Sequence, residues 1–533
     1  MPPRGRITGS KVAIPPARLS PGNLFSRDAR LLNPDEIRAL NSAHAEILDL
    51  YGLSLAACRT LPLRRPARPA RGPLEEAHRL RLALAAAIAA LAVTATGRGA
   101  LLDLPPGSRA RSRAAMKERN DRAAACALAE GLFDLSESAG DAVCEIAIGE
   151  GVRRKADERG SNPTLYAGQV LGPPGLASLT AALREARGVR TWSAAVDAVE
   201  GTTKSTVAEG SSGCLFYITE AAIRRVPDVY FNRCHLVDVD GVNVDSELGE
   251  IFDAVRSRRG SDQVDVFSLD RPRHPHALMA DLGANVRTDA DGDAFPVVAS
   301  GLRYGVFPDD GRPLDGVCGN IGGAAEVIAS SAAGHYLGVQ STARFAAGRI
   351  DRWEDRYRLT PSDLATVHGA GFDPETVYRI EDLVPGIDQS DGLFVASAIS
   401  DNAHIPLFDA VFWGSDFAEA SVLTVGASGA AELLRMSLAF KGDAASAAQR
   451  LTPILESILS RPEPQMAPAI RQALSSPSGA RRLRHEFAAT YYAHFRESGG
   501  RFRLDMKSAE AEEPGSSLGL LRGLIDLAPE WFD

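Results

Sequence analysis

The segment Val196-Asp197-Ala198-Val199-Glu200-Gly201-Thr202 carries the residues best suited to chemistry. An apolar run delivers Asp197 at its end, Glu200 follows three positions later, and Gly201 permits the turn that leads to the Thr202 hydroxyl. Hard divalent cations take oxygen ligands, and Mg2+ demands near-octahedral geometry with some waters retained. One Asp and one Glu converging at a strand end can bridge two such ions, although a short acidic turn in solvent has the same pattern. Three more acids stand in comparable settings. Asp121 follows Asn120 at an expected helix start. Glu150 lies in Ile148-Gly149-Glu150-Gly151 after a strand-like stretch, and Glu326 follows Gly322-Gly323 where another helix is expected to begin. Taken singly, they read as a helix cap, a loop charge and a first-turn glutamate favoured by the helix dipole.

The order of these pieces resembles class II fructose-1,6-bisphosphatase, a branch of the lithium-sensitive sugar and inositol phosphatase superfamily. Lys117 and Asp121 in the string KERND look like that family's early Lys/Asp pair, and residues 148–151 match its Ile-Gly-Glu-Gly. Residues 196–202 resemble its Val-Asp-Pro-x-Glu-Gly-Thr signature. Pro227-Asp228-Val229-Tyr230, Arg271-Pro272-Arg273-His274, Asp291-Gly292-Asp293 and Gly322-Gly323-Ala324-Ala325-Glu326 look like its four later strings. The resemblance spans roughly residues 110–400. It implies a layered αβαβα sugar-phosphatase fold and a divalent metal, Mg or Mn, held by Asp121, Glu150, Asp197, Glu200 and Glu326. It also implies a phosphorylated sugar as substrate, bound by Lys117, Tyr230, Arg273, His274, Asp291 and Asp293. Thr202 would orient the attacking water or contact phosphate. The family's catalytic-loop aspartate is expected within 152–166, where Asp157 is the nearest candidate and Glu158 its substitute. That stretch is longer than the family's and basic, with Arg153, Arg154 and Lys155. Alanines 198 and 325 replace two prolines of the family pattern, which removes backbone stiffening but no ligand.

Strands and helices alternate around these motifs, as in an α/β or layered α+β architecture. Strands are expected at 142–149, 192–196, 215–219, 229–241, 264–270, 278–287, 295–300 and 393–398, and a glycine turn feeding a helix at 321–338. Asn33-Pro34-Asp35-Glu36 opens a helical pattern running to about Leu50, Leu61 to Gly72 reads as a Pro/Arg linker, and 73–96 as a second helix ended by glycines and the PPG at 105–107. Residues 1–22 have the Pro/Gly/Arg composition of a disordered segment. Beyond about 411 the texture is helical, AAELLRMSLAF (430–440) and RRLRHEFAATYYAHF (481–495) included. The expected division is therefore an N-terminal extension (1–105), a metal-binding α/β subdomain (106–225), a second α/β subdomain (226–410) and a mostly helical C-terminal extension (411–533).

Composition narrows the function. The 533 residues are 45% hydrophobic and 24% charged, as expected for a globular protein with a sizeable core. A net charge of -9 argues against general nucleic-acid binding. Six scattered cysteines with no CxxC pair suit a reducing cytoplasm. No signal-peptide core follows Met1, and the Leu82–Val93 run is too short to span a membrane, so it reads as a buried or interface helix. The chain has no GxGxxG dinucleotide fingerprint, P-loop lysine or GxSxG elbow. The expected activity is hydrolysis of a sugar bisphosphate, most simply fructose 1,6-bisphosphate, with sedoheptulose 1,7-bisphosphate or a cyclitol phosphate as alternatives. A catalytically silent relative acting as a binding module is the competing reading, motivated by the terminal additions. A homo-oligomer is plausible, with the Ala-rich helix as one contact surface.

Overall fold

The computed structural model describes residues 29–149, 165–208, 212–268, 275–288, 315–346, 359–400, 410–441 and 495–504, apart from a few positions inside these ranges. Twelve strands carry the architecture: β1 (Leu53–Arg64), β2 (Ala142–Ile148), β3 (Arg190–Glu200), β4 (Gly213–Thr219), β5 (Tyr230–Val237), β6 (Val264–Phe267), β7 (Ala284–Arg287), β8 (Gly316–Gly323), β9 (Val339–Phe345), β10 (Gly392–Ala398), β11 (Phe417–Gly426) and β12 (Ala431–Phe440). The principal helices are α1 (Pro34–Ala43), α2 (Arg79–Thr96), α3 (Pro106–Ala139), α4 (Leu248–Arg259) and α5 (Ala324–Leu337).

One sheet runs β1-β12-β11-β10-β4-β3-β2, with short strands at both edges, and a second runs β9-β5-β8-β6-β7 beside the short strand Tyr378–Arg379. Period-two alternation assigns each strand a face. Ala194 and Val196 join the cluster under α2 and α3, whereas Ala195, between them, joins the cluster built around α5. The α5 cluster also takes Phe231, Val339 and Phe345 from the second sheet, and α4 covers that sheet's far side through Ile251, Phe252 and Val255. The layers are thus helix, sheet, helix, sheet, helix, a mixed α/β sugar-phosphatase-like fold.

The sequence explains several elements directly. The Asn33 side chain accepts the Asp35 and Glu36 N–H groups, and Glu36 accepts the Asn33 N–H, so α1 opens with a reciprocal cap. Every residue from Leu82 to Val93 is fully buried, which makes the greasy run a core helix and removes it as a contact surface between copies. The segment Leu74–Ala95 is long and apolar enough to cross a membrane by length and composition alone, yet 78% of its most apolar window is buried in the fold. Gly131 lets α3 approach α2: a methyl there would stand 2.7 Å from Ala85 Cβ.

Other elements depart from expectation. Leu61–Arg64, expected in a linker, is the end of β1, which pairs with β12 in the main sheet. The 430–440 segment, expected to be helical, is the strand β12. Its Leu, Met and Glu favour helices, but both of its edges are claimed by neighbouring strands, and tertiary pairing overrides propensity. Residues 495–498 and 501–504 pair as antiparallel strands, inside the extension expected to be mostly helical. Asp121 lies in the interior of α3 rather than at a helix start, because Pro106 occupies the first turn and opens the helix instead of closing the preceding one. Of the strand expected at 278–287, only Ala284–Arg287 is extended, and His276–Asp281 is a short helix. The expected strand at 295–300, the remaining helices expected after 441 and the segment 1–22 lie outside the described residues.

Two buried histidines make the fold acid-sensitive. Burial lowers His44 from an ordinary 6.5 to about 4 and His235 to about 3. The unfolded chain binds these protons first, so stability is complete above pH 6.5 and declines as pH falls toward about 4. Urea denaturation across that range should show the decline, and His44→Leu should lessen it while His235 keeps the remainder, every tenfold difference in proton affinity between the folded and unfolded chain being worth about 1.4 kcal/mol.

Candidate active site

Four of the five expected ligands fall within the described residues: Asp197 and Glu200 end β3, Asp121 lies in α3 and Glu326 in the first turn of α5. Asp197 and Glu200 lie at the end of β3, where the register against β4 slips between them. That bulge accommodates Ala198 and Val199 and re-aims the strand end. The Asp197 Oδ1 accepts the Val199 N–H at 3.0 Å, and Gly201, at φ 73°, hands the chain to the short helix Thr202–Val207. Residue parity places Asp197 on the same face as Ala195, toward the α5 layer.

Thr202 joins this strand end to α3. Its Oγ1 lies 3.1 Å from Asp121 Oδ1 and 2.8 Å from the Val199 carbonyl, and its one proton serves one of these acceptors. A second tie holds the same elements, with Asn120 Nδ2 donating to Ser205 Oγ at 2.7 Å. Lys117 sits one turn before Asp121 on α3 and is half-buried. Glu326 occupies the third position of α5, where its Oε2 accepts the Gly323 N–H at 3.0 Å. Tyr230 opens β5 directly opposite Gly323 in the strand register. β2 runs parallel to β3 with Ile148 opposite Ala195, so it ends at the same sheet edge as Asp197. Glu150, Asp157, Glu158, Arg273, His274, Asp291 and Asp293 lie outside the described residues.

The electrostatics of the four carboxylates bind them into one group. Asp121, Asp197 and Glu200 are 6%, 4% and 3% exposed, so bulk water does little to solvate their charge. The Asp197 carboxyl is pushed well above the ordinary carboxylate range, first by burial and then by the negative charges of Glu326, Glu200 and Asp121. The donor set is all oxygen and anionic, as a hard divalent cation requires. Among the described residues, however, no three of these groups already close around an ion. In donor chemistry and charge the four acids suit a hard divalent cation.

Sequence reasoning missed Arg233. It is fully buried on β5, and its Nη1 lies 3.5 Å from Ser330 Oγ on α5. Gly322 stands between it and the acid cluster: a methyl there would fall 2.8 Å from Glu326 Oε2 and 3.6 Å from Arg233 Cζ. A cation between Phe231 and Cys234 in the string Tyr230-Phe231-Asn232-Arg233-Cys234 was the available signal. Gly322→Ala should displace the Glu326 carboxylate. The expected outcome is a loss of turnover of about ten- to a hundredfold with an unchanged melting temperature, as when the support of a metal ligand is disturbed. Unimpaired kinetics in this variant would separate Glu326 from the site.

Five alternating layers, with Asp197 and Glu200 buried at a strand end and half-buried Glu326 at a helix start, make a mixed α/β fold consistent with the sugar-phosphatase type. Residues 108–431 match the family described as bacterial fructose-1,6-bisphosphatase, glpX-encoded, and the chain belongs to that family. Among curated proteins, no individual sequence matches the chain significantly.

Proposed function

We propose that this protein hydrolyses a phosphate monoester of a sugar bisphosphate, most simply fructose 1,6-bisphosphate to fructose 6-phosphate and phosphate, with Mg or Mn. Family membership supports the reaction class. The observation that carries the metal requirement is the charge of Glu326, Glu200 and Asp121 acting on buried Asp197. Asp121, Glu150, Asp197, Glu200 and Glu326 would hold the metal, which when bound polarises phosphoryl oxygens and lowers the pKa of water.

The chain's own residues do the rest. Lys117 and Arg273 supply positive charge to the phosphate, Arg273 in a planar fork. Tyr230 and His274 add donors, and Asp291 and Asp293 accept sugar hydroxyls. The Thr202 hydroxyl, already directed at Asp121 and the Val199 carbonyl, orients the attacking water. Asp157 or Glu158 takes that water's proton. The water oxygen bonds to phosphorus, the bond from phosphorus to the sugar oxygen breaks, and the departing oxygen is protonated to give the free hydroxyl. We place the protein in the cytoplasm and assign the substrate site to the 106–225 and 226–410 subdomains.

Phosphate release measured over a panel of sugar phosphates, with and without Mn or Mg, tests this reading. Metal-dependent release from fructose 1,6-bisphosphate is expected. Preference for sedoheptulose 1,7-bisphosphate or a cyclitol phosphate would reassign the sugar, and metal binding without turnover of any substrate would overturn the reading.

A further inference from the structure

A pocket lies at the far end of α5. From Glu326 to Leu337 the helix advances about 16 Å, which separates this pocket from the acid cluster. Its walls include Arg64, Arg68, Arg71, His335, Asp388 and Ser428. The three arginines come from the end of β1 and the segment after it. They precede the residues matched to the family, so family membership does not account for them.

That segment is fixed in place. The N–H groups of Ala67 and Arg68 both donate to the Ser428 carbonyl, at 2.8 and 3.0 Å. Gly429, at φ 79°, makes the close turn beneath it, where a methyl would stand 2.9 Å from the Tyr336 carbonyl. The backbone that carries these arginines is therefore held before any ligand arrives, which reduces the ordering cost of binding.

Their donors are largely unspent. Arg64 Nη1 donates to the Leu337 carbonyl at 2.7 Å, and Arg71 donates to the main-chain carbonyl of Asp388. Neither is ion-paired among the described residues. Arg68 is 3.9 Å from Asp388 Oδ1, a carboxylate already engaged by His335 Nε2 at 2.9 Å. Each guanidinium has five N–H donors in a fork that matches an oxyanion. The lining sets three arginines against the carboxylate of Asp388, with Glu381 3.2 Å from His335 Nδ1 behind it and Asp391 near Arg71. The negative dipole end of α5 opposes an anion here. Arg64 offsets it by capping the Leu337 carbonyl directly.

We propose that this pocket binds the phosphate group of a small phosphorylated molecule, or inorganic phosphate, as a second site distinct from the carboxylate cluster. The test uses the full-length protein in excess EDTA, where a metal-dependent hydrolysis cannot consume the probe. Arginine modification by phenylglyoxal is followed residue by residue by mass spectrometry, with inorganic phosphate, glucose 6-phosphate or glucose present. With either phosphate well above its Kd, modification of Arg68 and Arg71 should slow by at least about threefold, while exposed Arg38 and Arg258 react as before and glucose has no effect. Protection by both probes identifies the phosphate group as sufficient; protection by glucose 6-phosphate alone identifies a phosphate ester as the ligand. Calorimetry on the Arg68→Glu/Arg71→Glu double variant should show phosphate affinity at least about tenfold weaker at an unchanged melting temperature. Unchanged modification rates at Arg68 and Arg71, or unchanged phosphate affinity in the double variant, would overturn the proposal.

Discussion

Replacing Asp197 with asparagine is expected to lower turnover by on the order of a thousandfold or more, the scale of a metal contribution worth several kcal/mol to the transition state. The substitution keeps the shape of the side chain and removes its charge. The metal-free variant should nonetheless melt above the metal-free parent. Asp197 sits buried among the charges of Glu326, Glu200 and Asp121, and a neutral amide relieves both the desolvation and the repulsion. The two effects run in opposite directions, so misfolding cannot imitate them. Measuring kcat and the melting temperature in EDTA on the same preparation checks both. Full activity in Asp197→Asn would remove this residue from the reaction.

Metal depletion should have an effect of similar size, and a reversible one. Dialysis against EDTA is expected to abolish phosphate release, and Mn2+ or Mg2+ to restore it. The ion should also raise the melting temperature, because it binds the folded carboxylate cluster and not the dispersed acids of the unfolded chain. At a hundredfold excess over Kd the stabilisation amounts to about 2.7 kcal/mol. Thermal denaturation across a metal titration reads this directly, and in Asp197→Asn the shift should shrink. A stabilisation by metal that is equal in parent and variant would place the bound ion elsewhere.

The part of this site on β3 was legible because its signals are local. An apolar run, an acid at its end, a glycine and a threonine lie within seven residues, and the structure has them as a strand end, a bulge, a positive-φ glycine and a helix start. Glu326 was legible for the same reason, since paired glycines precede it and α5 begins between them and the acid. Asp121 was found as a residue but misplaced as a helix start, because Pro105-Pro106-Gly107 reads equally well as a stop or as a first turn. Arg233 was not found at all. Its neighbour across the chain, Gly322, is about ninety positions away, and nothing local marks the approach. The same limit hid β12, whose partners β1 and β11 compel an extended backbone on a run of good helix formers. It also hid the ordering of the arginine segment after Arg64, which depends on Ser428.

The convergence of the carboxylates on a cation is tested most directly by a crystal of the full-length protein grown with Mn2+ and measured at the manganese absorption edge. The account predicts anomalous density bounded by Asp121, Asp197, Glu200 and Glu326. Manganese bound only at sites remote from these four side chains would contradict it.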